Sequence, residues 1–297
     1  DPPHGDQEHR TFADRVGEQF GKHLRAERLV GRHLRFERRS EAVVLGAQVG
    51  VAGVEALLAA LEHLDGGPVE QGRTGEHADG ERQVFAFYYS WWTNESWSDS
   101  RLLDTPLTPY DLRDPAATAA HIDTARAAGL DGFIIDWFGL NMQVAHQAFE
   151  TLLNESQSRD FQISALVDLH EPGYLQEMNQ LSAALQYLYT TAIPNPAYSR
   201  INGKPVVYFW DAEFFSISTW EQLRTQYDPN HDALWLMQGA MPAYMTAFDG
   251  FFILDIAFAN DPAGTFQMFQ NQAAQAGADY YLPTVIPGWD TSTFAGW

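Results

Sequence analysis

Apolar residues in the second part of the chain come in short, nearly unbroken runs, separated by stretches with helical spacing. The runs are VFAFYYSWW (84–92), DGFIIDWFG (131–139), FQISALVDLHE (161–171), KPVVYFWD (204–211), ALWLMQGA (233–240), GFFILDIAF (250–258) and DYYLPTVIPGWD (279–290). Runs of this kind predict strands covered on both faces, as in a parallel sheet. Between them, helices are predicted over 114–129, 141–159, 174–192, 218–227 and 262–278, with a short helical stretch at 243–247. The first has Asp114 to cap it, Pro115 for its first turn and Gly129 to end it. Strand–helix alternation at about 30 residues per unit is the pattern of a parallel α/β fold. Residues 84–297 hold seven units, where a (β/α)8 barrel typically takes about 250 residues. The expected fold is therefore a TIM-type barrel one βα unit short, with two unpaired strand edges at its seam.

Residues 1–83 read differently. They hold three aromatic residues, Phe12, Phe20 and Phe36, whereas every Trp and Tyr lies beyond residue 87. Only VAGVEALLAALEHLD (51–65) shows a helical stripe there. The strand content is low, and the segment is expected to be an ill-ordered or spurious extension, with the barrel domain over 84–297.

Net charge is −21, and within residues 84–297 there are 7 basic against 24 acidic residues. Such a surface repels phosphate backbones, so nucleic acid is not the expected partner, while neutral sugars remain compatible. No run reaches the roughly 20 apolar residues of a membrane span. Cysteine is absent, which removes thiolate nucleophiles, disulfides and cysteine metal sites. There is no GxxxxGK[ST] phosphate loop and no GxSxG elbow. His121 and His146 lie on predicted helices and read as surface residues. His170 beside Asp168 and Glu171 lacks a second histidine at ligand spacing, so no metal is expected.

The chemistry-bearing residues gather at the strand ends, where a parallel barrel builds its active site. Strand one ends in Tyr88, Tyr89, Trp91 and Trp92. Strand two ends in Asp136 and Trp137, and strand three in Asp168, His170 and Glu171. Strand four ends in Trp210 and Asp211, strand five in Gln238, strand six in Asp255, and strand seven in Trp289 and Asp290. Indole faces stack on the C–H faces of sugar rings, while carboxyls bond hydroxyls and move protons. An oligo- or polysaccharide is the expected partner.

Taken together, FAFYYSWW, HIDTARAAGLDGFIIDWFG, LHEPGY, GKPVVYFWD and TVIPGWD resemble the glycoside hydrolase family 71/99-like group, which includes endo-α-mannosidases and α-mannanases. The resemblance covers about residues 84–297. It implies a (β/α)8 barrel that cleaves α-linked mannose or related glycans with retention, using neither metal nor other cofactor. In relatives the base is thought to act on the sugar's own 2-hydroxyl. Glu171 and His170 match the family's third-strand glutamate and histidine, Tyr89 its first-strand tyrosine, and Pro287 to Asp290 its late Pro-Gly-aromatic-Asp motif. The family's glutamate-rich acid/base segment follows that motif, and the chain ends at Trp297 before any such segment. Little turnover is therefore expected from this polypeptide. Asp136 stands where some relatives carry a non-acidic residue, so its role is not inherited. The resulting candidates are Glu171 and Asp136 as catalytic acids, with Tyr89, Trp92, Trp137, His170, Tyr174, Asp211, Trp289 and Asp290 binding substrate. The open alternatives are a non-catalytic carbohydrate-binding or orphan barrel and an α-glucanase of the family 71 branch. A secreted or extracytoplasmic location fits a polysaccharide substrate.

Overall fold

The computed structural model describes residues 42–45, 83–99, 102, 105–239, 241–254, 259 and 261–285. The helical stripe at 51–65 and the predicted strand ends Asp255, Trp289 and Asp290 lie outside the described residues.

The strands are β1 (Ala42–Leu45), β2 (Gln83–Tyr89), β3 (Gly132–Trp137), β4 (Gln162–Asp168), β5 (Arg200–Ile201), β6 (Lys204–Trp210), β7 (Leu234–Gln238), β8 (Gly250–Phe252), β9 (Tyr280–Leu282) and β10 (Thr284–Val285). The helices are α1 (Pro115–Ala127), α2 (Gln143–Ser156), α3 (Met178–Tyr187), α4 (Ile217–Tyr227) and α5 (Pro262–Ala276). Neighbours run β2-β3-β4-β6-β7-β8-β9, all parallel, while β5 pairs antiparallel with β6 as a short spur. These are the seven predicted strands in the predicted order. Pro283, which has no amide hydrogen to give a ladder, separates β9 from β10.

The seam expected between the first and last of these strands is spanned. Strand β1 pairs in parallel with β2, Ala42 opposite Gln83, and with β10, Val44 opposite Thr284. Its sequence, AVVL, is β-prone but only four residues long, too short to stand out from its surroundings in the chain.

Alternation along each strand sorts the apolar residues into two cores. One set, including Val84, Ala86, Tyr88, Phe133, Ile135, Trp137, Ile163, Val167, Phe209 and Trp235, packs against the helices. The intervening set, Phe85, Phe87, Ile134, Leu166, Tyr208, Leu236, Phe252 and Leu282, fills the barrel interior. The floor of that interior is tight: a Cβ on Gly132 would lie 2.4 Å from the Gln162 carbonyl oxygen and 2.6 Å from the Phe85 ring. This is why the strand within DGFIIDWFG begins at a glycine, Gly132.

Candidate functional site

Parity places the acids. With Ile134 in the interior core, Asp136 points into the barrel one layer nearer the carboxyl end, and Asp168 follows Leu166 inward in the same way. Both are 2% exposed. Their carboxyls hydrogen-bond to one another. Asp168 Oδ1 also accepts the backbone N–H of His170 at 2.6 Å. Asp136 Oδ1 is buried and has no hydrogen-bond partner among the described residues.

Burial is the main cause that raises both carboxyls. Asp168 is pushed up to about 7, opposed by the His170 amide, while Asp136 lies well above the ordinary carboxyl range, raised further by the Asp168 charge. Two buried carboxyls in contact cannot both ionise cheaply. Asp136, with no amide donor of its own, keeps the proton. This explains how a carboxyl is tolerated in so apolar a run: its neighbour accepts its hydrogen bond.

The turn after β4 carries the other groups. His170 Nδ1 meets Asp211 Oδ2 at 2.5 Å, and the imidazole lies flat on the Trp210 indole, 4.8 Å between centroids at 2°. Asp211 raises the His170 pKa, so the ring carries positive charge more readily than a free imidazole. Asp211 itself adopts a left-handed backbone, φ 55°, a conformation aspartate tolerates better than most residues. Glu171 is 2% exposed, and its charge acts on His170. The side-chain amide of Gln176 donates to the Leu169 carbonyl at 2.9 Å and ties the turn back on itself.

Tyr89 stands in register with Asp136 on the neighbouring strand. Its ring meets Trp91 at 4.6 Å, Trp91 meets Phe138 at 5.8 Å, and Phe138 meets Tyr174 at 5.8 Å. An aromatic band thus runs across the ends of β2, β3 and β4 and includes two of the sequence candidates. Trp92 is partly buried and stacks on Trp97 at 4.6 Å and 13°, alongside this band.

Trp137 is not at the mouth. Being next to inward-facing Asp136, it faces outward, fully buried against Phe149 and Tyr187 of the helix layer, at 5.5 and 5.7 Å. The two histidines read as surface residues are also packed. His121 Nδ1 meets the buried Tyr88 hydroxyl at 2.6 Å, and burial lowers its pKa to about 4; His146 packs edge-on to Tyr187 at 4.8 Å. Asp168, Trp210, Trp91 and Phe138 are mouth residues outside the candidates taken from sequence. Among the described residues no group of three or more His, Asp or Glu is arranged to hold a metal ion, and no helix is long and apolar enough to cross a membrane.

The mouth therefore combines a proton-sharing acid pair, a glutamate, a histidine hydrogen-bonded to an aspartate and an aromatic band, the equipment of acid/base chemistry on a polyhydroxylated ligand. Comparison with known proteins agrees. Two solved structures of the family 99 endo-α-mannosidase from Bacteroides thetaiotaomicron are similar. The one in complex with bis-tris propane has a TM-score of 0.59 and 21% identity, covering 72% of each chain. The second has a TM-score of 0.58 and 20% identity, covering 72% of this chain and 74% of that one. At this identity they show the shared barrel fold. No curated protein matches. The profile of glycosyl hydrolase family 99 matches residues 98–297, more than half of the chain. The chain belongs to glycosyl hydrolase family 99.

Proposed function

We propose that this glycoside hydrolase acts on α-linked mannose-containing glycans, in the manner of an endo-α-mannosidase or α-mannanase. The observation that carries the reading is the meeting of Asp136, Asp168, His170 and Glu171 at the carboxyl ends of adjacent strands β3 and β4. Family membership and the fold shared with an endo-α-mannosidase support it.

Glu171 and Asp136 are the acids assigned to the reaction. Asp136, whose carboxyl is held well above the ordinary range by burial and by the Asp168 charge, serves as the acid toward the departing oxygen, and Glu171 serves as the base. His170 on Trp210, with Asp211 behind it, donates to sugar hydroxyls. Tyr89 and Tyr174, at the two ends of the aromatic band, and neighbouring Trp92 offer ring faces for stacking.

The test is the full chain incubated with α-mannan, α-mannooligosaccharides and α-1,3-glucan, reading bound ligand and released reducing ends. Binding and slow hydrolysis of the mannose substrates are expected. Glu171→Gln should lower hydrolysis by at least about 100-fold while binding persists. Binding with no hydrolysis by either protein, lost in Trp92→Ala, would make this a carbohydrate-binding barrel. Cleavage of the glucan alone would move the substrate class.

A further inference from the structure

The Asp136–Asp168 pair lines the carboxyl end of the barrel, and Asp168 also grips the turn after β4 through the backbone. Asp168 has two partners in two directions: the Asp136 carboxyl on β3, and the His170 amide 2.6 Å away at the start of the turn. Beyond that amide, the His170 ring meets the Asp211 carboxylate at 2.5 Å and the Trp210 ring at 4.8 Å. Glu171 is the next residue along.

We propose that Asp168 is a positioning residue: braced by Asp136, it clamps the His170 amide so that the imidazole sits between Asp211 and Trp210 and Glu171 is presented at the mouth. The proposal rests on the glycosidase reading for what His170 and Glu171 do, and on geometry for how they are held.

Three physical points support the clamp. Asp168 is 2% exposed, so water does not compete for its oxygens, and a charge-assisted N–H···O contact there is stronger than a neutral one. Parallel pairing sets β3 beside β4 from Gly132 opposite Gln162 to Trp137 opposite Val167, so the brace sits on rigid elements rather than on a loop. The other holds on the turn act on other groups: Gln176 donates to the Leu169 and His170 carbonyls, Gln180 to the Gly173 carbonyl, and the Leu169 amide to the Trp210 carbonyl, while the His170 amide goes to Asp168. Without the clamp, the His170 ring would have only Asp211 and Trp210 to set its orientation.

The groups that set the charge on His170 come from each side. Asp211 follows β6, Glu213 lies in the short turn after it, and Asp168 and Glu171 flank the histidine on its own segment. Asp211 is the largest of these influences on His170 and acts by direct hydrogen bonding. Whether the ring stays in that contact is therefore readable from the histidine's own titration.

The experiment follows the His170 ring by NMR in the full chain labelled at histidine, its signal identified by loss in His170→Gln. In the wild type, His170 should titrate above an ordinary imidazole. Asp168→Asn keeps an acceptor for the amide and should lower the midpoint only by the loss of the Asp168 charge, less than the alanine variant does. Asp168→Ala removes the clamp and should return the midpoint to that of a free imidazole, with mannooligosaccharide affinity weakened at least about 10-fold by the misplaced turn. Asp168→Val, which offers the amide no acceptor, replaces the alanine variant should that one not fold. An unchanged midpoint in Asp168→Ala, or equal falls in the asparagine and alanine variants, would overturn the clamp. A wild-type chain that neither binds nor cleaves mannosides would defeat the glycosidase reading and leave the titration result standing.

Discussion

At the amino ends of the strands Asp228 and Asp249 meet an arginine; at the carboxyl ends Asp136 and Asp168 meet each other. Arg224, 3% exposed on the last turn of α4, reaches Asp249 at 3.0 Å, Asp228 at 3.3 Å and the Ala233 carbonyl at 3.0 Å, with its guanidinium 4.8 Å over the Trp235 ring. Backbone amides complete the set: Trp235 donates to Asp249, and Asp232 and Ala233 donate to Asp228. Each carboxylate there has both the arginine and a backbone donor, although Arg224 Nε and Nη1 are buried without a hydrogen-bond partner among the described residues. The mouth has the same residue type without the arginine. Its acids share a proton and a histidine, an arrangement that is costly for folding and useful for proton transfer. The residue type alone does not separate the two ends; the partner does.

The largest break in this comparison is at the floor. Arg224→Met strips a buried cation from two carboxylates and should cost about 3–5 kcal/mol, read as a lowered urea midpoint. A loss below about 1 kcal/mol would mean that the floor carboxylates find amide partners enough, and that the contrast between the two ends is weaker than the geometry indicates.

The next effect is at the mouth and depends on pH. The folded pKa of Asp168 is about 7, above its value of 3.8 when unfolded, and Asp136 is raised higher still. A raised carboxyl favours the fold most below its unfolded pKa. That contribution is lost as pH rises toward about 7 for Asp168, and further as Asp136 ionises. The slope is about 1.4 kcal/mol per pH unit for each proton that only the folded chain holds. His170, also raised, loses its contribution in the same direction at higher pH. Asp136→Asn isolates the pair: its amide donates permanently to Asp168, so the drop in urea midpoint from pH 5 to pH 8 should be smaller than in wild type. An equal drop in both proteins would assign the pH dependence to other groups.

How far the sequence reaches is visible in these same residues. The run DGFIIDWFG marks its strand to within two residues of Gly132–Trp137, because a strand covered on both faces has to be apolar throughout. That continuity hides which side each residue faces. Position at a strand end puts Trp137 with Asp136 at the mouth, but strand neighbours point to opposite faces, and an inward aspartate sends the indole outward. Asp168 was visible as a strand-end acid, but its bond to Asp136 depends on β3 and β4 being adjacent and in a fixed register, which no single segment encodes. Strand β1 is hidden in the sequence for a different reason. Four residues carry too little periodicity to be told from a loop, and its place in the ring is decided by partners at residues 83–86 and 284–285. Helix ends were more legible, since capping chemistry is local.

The smallest predicted effect uses one of those ends to sharpen the contrast between scaffold and mouth. Asp114 caps α1, accepting the Ala116 amide at 2.9 Å with Pro115 in the first turn behind it. Its charge also suits the positive end of the helix. The side chain is exposed, so nothing is buried by it. The rest of α1 is held by Ile122 and Ala125 in the outer core and by the His121–Tyr88 contact. Asp114→Ala should therefore cost only about 1 kcal/mol, seen as a small fall in urea midpoint with mannooligosaccharide affinity unchanged. The segment leading into the cap is tied to the aromatic band's neighbour, since the Leu112 amide donates to the Trp92 carbonyl. A loss of affinity in Asp114→Ala would show that fraying the first turn reaches Trp92 through that bond, and that the start of α1 belongs to the mouth rather than to the scaffold.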